Sequence, residues 1–87
     1  MSTVREMEER LQALAPDNIE ILDESGRHVG HEGAKGGGGH YDLLIVSPQF
    51  AGRPKVVRHR MVYEALGDLM RKDIHALAIR AFAPNEI

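Results

Sequence analysis

The run Tyr41–Ser47, YDLLIVS, closed by Pro48, is the feature that most limits how this chain folds. Leu43, Leu44, Ile45 and Val46 follow one another without polar interruption. A continuous apolar run of this length suits a strand buried on both faces. It falls far short of the roughly 20 apolar residues of a membrane span. The rest of the chain reads as the neighbours and the cover of this strand.

Two more stretches read as strands. One is Ile19 to Asp23, short and rich in Ile. The other is Ile74 to Phe82, where Ala76, Ala78 and Arg80 alternate with Leu77 and Ile79. Two stretches carry helical spacing. Thr3 and Glu6 stand at capping-box distance and open a stripe of Val4, Met7, Leu11 and Leu14, which Pro16 ends. From Lys55 to Met70 a second stripe holds Val57, Met61, Val62, Ala65, Leu66 and Leu69. The order is therefore αββαβ, an α+β fold. The first two strands pair antiparallel through a long hairpin. The last βαβ unit is a right-handed crossover, which makes the second and third strands parallel. Both helices cover one face of a three-stranded mixed sheet.

With 87 residues the chain is a single domain, residues 1–87. A domain of this size buries only about 60% of the surface of its unfolded chain. Net charge is −2 with histidine neutral, so bulk electrostatics favour neither nucleic acid nor a membrane. Any such binding needs a local basic patch. There is no cysteine, which excludes a disulfide framework, a thiol nucleophile and an all-thiolate metal site. The absence of cysteine fits a reducing compartment, and MSTVREMEERLQ has no long apolar run, so no signal peptide is expected and the location expected is cytoplasmic.

Between the first two strands lies HEGAKGGGGH, residues 31–40, with His28 just upstream. A loop this long without structure of its own is uncommon in a compact domain and is often functional. It reads either as a plain linker or as a mobile arm that presents a histidine. GHEG at 30–33 and GAKG at 33–36 match the GXXG string of nucleic-acid-binding KH modules. Such matches are nearly free in a glycine run, and the slot before the second helix reads FAGRPK. GAKGGGGH lacks the GK[ST] ending of a phosphate-binding loop. With no nucleophile–base pair and no clustered carboxylates, the chain is expected not to be an enzyme.

DESGRH, then HYDLLIVSPQFAGRPKVVRHRMVYEAL, then IHALAIRAFAP resemble the BolA family. The carrying motifs are the F-x-G turn (Phe50, Gly52), the helix start Arg58-His59-Arg60-x-Val62-Tyr63 and the strand start His75-Ala76-Leu77. The resemblance implies the αββαβ fold, similar to class II KH topology. It implies a monothiol glutaredoxin partner and a [2Fe–2S] cluster shared with that partner and glutathione, in iron–sulfur trafficking and iron regulation. No cofactor is expected in the isolated chain. Some bacterial members of the family are described as DNA-binding transcriptional regulators tied to stress and cell shape. DNA and a homodimer stay open, and no membrane partner is expected.

The resemblance assigns His75 as the metal ligand, with the second from the hairpin loop. His28 matches the D-E-S-x-x-H element; His40 and then His31 rank behind it. On chemistry alone a lone strand histidine reads as half-buried and bonded to backbone, and loop histidines as solvated. Arg53, Lys55, Arg58, His59 and Arg60 crowd the start of the second helix, where the helix dipole favours acidic residues. They read either as a solvated basic face or as a contact for an acidic partner or for nucleic acid.

Overall fold

The computed structural model describes residues 2–24 and 39–87. The glycine-rich hairpin, with His28 and His31 and the expectation of a mobile arm, lies outside the described residues.

Helix α1 spans Thr3–Leu11. Its N-cap is Ser2, one residue before the expected Thr3: the Ser2 hydroxyl accepts from Arg5 N–H at 3.2 Å. Glu6 therefore sits too far along to complete a capping box; its own N–H donates to the Ser2 carbonyl. A tight turn, Gln12–Leu14, continues the helix and ends at Ala15 in the left-handed conformation. Met7, Leu11 and Leu14 are buried, so the expected stripe faces inward.

Strand β1 is Asn18–Asp23, β2 is Gly39–Val46 and β3 is Ile74–Phe82. The sheet order is β1-β2-β3, antiparallel between β1 and β2 and parallel between β2 and β3. β2 is central as expected, yet the core lies on only one of its faces; on the other, only Val46 at the end of the strand is buried. Tyr41, Leu43 and Ile45 are buried with Met7, Leu11, Val62 and Leu66, while His40, Asp42 and Leu44 on the opposite face are half-buried. The cause is topological. The single crossover carries its helix to one side, and α1 packs against that same helix. Full burial of Leu43, Ile45 and Phe50 is worth about 1.5–3 kcal/mol each.

The second helical stretch divides. Helix α2 is Lys55–Leu66, and a single turn, α3, is Leu69–Lys72. Gly67 separates them at φ 58° and ψ −130°, a conformation that side chains resist. Arg10 crosses from α1 to seal the break. Its Nη1 donates to the Leu66 carbonyl at 2.9 Å and to Asp68 at 2.7 Å, satisfying a carbonyl that the helix end leaves open. After β3 the chain makes a short turn, Pro84–Glu86, that folds back on the strand.

Candidate functional site

Two groups of side chains stand out. The first is at the end of the sheet where β2 and β3 begin. Gly39 pairs with Ile74 but His40 pairs with Ala76, so β3 holds one extra residue, His75, in a bulge. A bulge leaves its residue unpaired and re-aims its side chain. Here the His75 ring stacks on His40, with centroids 5.2 Å apart and planes 26° from parallel. The backbone beneath is fixed: Glu24 N–H donates to the His40 carbonyl, and Gly39 N–H to the Asp73 carbonyl. His75 is exposed and His40 half-buried.

The pair meets the basic requirement of a metal site with imidazole donors. Two imidazoles on one tetrahedral metal, each at about 2.1 Å, have centroids roughly 5 Å apart. Among the described residues no third histidine or carboxylate joins them. The described residues thus offer two imidazole donors at this sheet end, fewer than a metal's full tetrahedral set. The structure brings together His75 and His40; His28 and His31 lie outside the described residues.

The second group lines a groove of about 380 Å³ between the start of α2 and the outer edge of β3. Pro54 caps α2 without a side-chain bond, and the first turn holds no acidic residue. Arg58 is spoken for. Its Nε donates to the Arg53 carbonyl at 2.8 Å and its Nη1 to the Ala81 carbonyl at 3.0 Å. Its two terminal nitrogens grip the Glu86 carboxylate at 2.6 and 2.8 Å. That grip, with the Ala83 N–H at 2.9 Å, lowers the Glu86 carboxyl to about 2. It also raises Arg58 above its ordinary range. Arg58 is therefore a clasp between α2, β3 and the tail. Arg53 donates to the Gln49 carbonyl at 3.0 Å and stays exposed, as do Lys55 and Arg60. His59 is half-buried, and its Nε2 is buried with no hydrogen-bond partner among the described residues. It lines both this groove and a shallow depression formed with Val56, Arg60 and Tyr63.

Sequence reasoning missed Arg80 and Glu86. Arg80 lines the groove from β3, and its place in the strand alternation was the available signal. Glu86 sits 28 residues from Arg58, and nothing local marks it as the partner. No helix among the described residues is long and apolar enough to cross a membrane.

The αββαβ order, with a three-stranded mixed sheet, is an α+β architecture shared with solved structures. A family model described as "BolA-like protein" matches residues 11–86. The chain belongs to the BolA family, as its motifs suggested. It is 41% identical over 75 residues to BolA-like protein 1 of Mus musculus, covering 86% of this chain and 53% of that protein. It is 35% identical to the DNA-binding transcriptional regulator BolA of Escherichia coli, covering 92% of this chain and 74% of that one. Among solved structures it is similar to BolA1 from Arabidopsis thaliana: TM-score 0.85, 37% identity, 100% of this chain and 97% of that chain. The chain spans about half of the mammalian relatives it matches. It spans 21% of SufE-like protein 1 of Arabidopsis thaliana, to which it is 39% identical over 79 residues.

Proposed function

We propose that this protein is a non-enzymatic adaptor that pairs with a monothiol glutaredoxin. The two share a [2Fe–2S] cluster, in iron–sulfur cluster trafficking and iron regulation. The observation that carries the reading is the stacked pair His40–His75 at the end of the sheet where β2 and β3 begin. Two neutral imidazoles fill the terminal positions of one iron and leave the other to a partner's cysteine and glutathione. With no cysteine of its own the chain is a poor holder of a cluster alone, so a partner is required on chemical grounds. Binding needs deprotonated imidazole, so assembly weakens as pH falls.

The test mixes the protein with a monothiol glutaredoxin, glutathione, iron and sulfide. Absorption, circular dichroism and electron paramagnetic resonance then follow wild type, His75→Ala, His40→Ala and His28→Ala. A mixed-complex spectrum lost in His75→Ala and His40→Ala supports the pair. Loss in His28→Ala with retention in His40→Ala moves the second ligand into the hairpin. A spectrum unchanged on mixing refutes cluster sharing.

A second reading, regulation by DNA binding, draws on the name of the Escherichia coli relative and on the basic groove. Arg53, Lys55 and Arg60 carry exposed positive charge for phosphates there, whereas Arg58 is held by Glu86. DNA binding by this route falls steeply with salt, and replacing Arg53 and Lys55 flattens that slope by roughly one for each phosphate no longer neutralised.

A further inference from the structure

β3 is an outer strand whose free side is open only at its middle. The Phe82 carbonyl accepts from Ser47 N–H. In a parallel ladder this means that Ala78, Arg80 and Phe82 turn their backbone groups towards β2. Leu77, Ile79 and Ala81 turn theirs outward. Unpaired strand edges invite pairing and are commonly guarded by bulges and charges. The bulge at His75 guards one end here. Arg58, bonded to the Ala81 carbonyl, guards the other. Between them the outward N–H and C=O groups of Leu77 and Ile79 have no partner among the described residues.

This open stretch runs beside the basic groove. Arg53, Lys55, Arg58 and Arg80 line that groove with one carboxylate, Glu86, while Arg80 also lines a depression with Glu20 and Asp42 on the other face of the sheet. The surplus is local, since the whole chain carries a net charge of −2. The groove already seats a carboxylate, because Glu86 lies on Arg58 and on the Ala83 N–H.

We propose that the edge of β3 binds an acidic, extended segment of a partner protein as a fourth strand. Its backbone bonds to Leu77 and Ile79, and its carboxylates, on the helix side of the sheet, reach Arg53 and Lys55. Three considerations select this occupant. A peptide backbone alternates donors and acceptors and so satisfies both kinds of group on the edge, whereas phosphates only accept and leave the Leu77 and Ile79 carbonyls bare. A second copy laid along the same edge sets cations against cations. Arg53 and Lys55, outside the Arg58–Glu86 pair, favour carboxylates over neutral side chains. This inference does not rest on the histidine pair, which lies beyond the bulge.

The test uses the full chain, labelled with nitrogen-15, and a short blocked peptide alternating glutamate and valine. Two further peptides carry N-methyl groups, one on every glutamate nitrogen and one on every valine nitrogen. A single-stranded oligonucleotide of equal charge completes the set. Anisotropy reads binding, and amide exchange reads Leu77 and Ile79. The unmodified peptide is expected to bind and to slow exchange of both amides at least about tenfold, the effect of one well-made hydrogen bond. One methylated peptide alone should lose affinity by about tenfold or more, since only one set of nitrogens faces β3. Arg53→Glu with Lys55→Glu, both exposed side chains, should weaken binding by a similar factor while circular dichroism stays native. Failure of the peptide to bind overturns the proposal. So does equal binding of both methylated peptides, or tighter binding of the oligonucleotide with Leu77 and Ile79 exchange unchanged. His75→Ala should leave all these affinities as they are, which separates this edge from the cluster reading.

Discussion

Ser47→Ala tests how the groove is held in place. Ser47 is fully buried at the end of β2. Its hydroxyl donates to the Leu14 carbonyl at 2.6 Å and accepts from Gln49 N–H at 3.1 Å. One oxygen thus joins the end of the α1 segment, the end of β2 and the turn Pro48–Phe50 that leads to Arg53. Alanine fits the space but leaves a buried carbonyl unpaired, which costs about 1–3 kcal/mol, and loses a second bond worth roughly 0.5–1.5 kcal/mol. A total of about 2–3 kcal/mol is expected, out of the roughly 4–13 kcal/mol that a domain this size holds. At about 4–8 °C per kcal/mol, the melting temperature should fall by roughly 8–24 °C. Urea denaturation followed by circular dichroism gives the free energy, and the slope m should not change, because the surface exposed on unfolding is the same. A loss below about 0.5 kcal/mol at unchanged m would refute the idea that this hydroxyl is an obligatory partner of Leu14.

Two more perturbations follow from the geometry. Gly67→Ala places a Cβ 3.2 Å from Arg10 Nη1 on a backbone at φ 58° and should cost about 1–3 kcal/mol by urea denaturation. Gly52→Ala, at φ 75° with nothing within 4 Å of the added carbon, should cost less, and a reversed order would mean that Gly67 does not set the Leu66–Leu69 break. The Glu86 clasp predicts a pH window. Its folded value of about 2 lies below the ordinary 4.5, so its stabilisation is present above about 4.5 and is lost as pH falls towards 2. The urea midpoint of wild type should exceed that of Glu86→Gln near neutral pH, and the gap should close across that window. The gap should be modest and shrink in salt, since the Glu86 side chain is 36% exposed. A gap independent of pH would mean that the ion pair with Arg58 does not stabilise the fold.

The sequence by itself determined the elements that carry a strong period or composition. β3 falls at Ile74–Phe82, the residues expected from its alternation. The parallel pairing of β2 with β3 follows from the helical crossover that joins them, which returns the chain to the same end of the sheet. The family was legible because its motifs lie in short contiguous runs. Local spacing failed where a neighbour in space decided. The second helix breaks at Gly67 although the apolar stripe runs on to Leu69, because Arg10 from α1 and the backbone of Gly67 stabilise a turn there. Tertiary structure alone decided the two sites. His40 and His75 stand 35 residues apart, and a one-residue bulge, invisible in either strand's own pattern, turns one ring onto the other. Arg58 reads as one of five basic residues at a helix start, yet the turn Pro84–Glu86 closes on it and removes it from the free charges of the groove. Periodicity records which face a residue shows to the core. It does not record register, bulges or ion pairs across the fold, and those depend on how the elements meet.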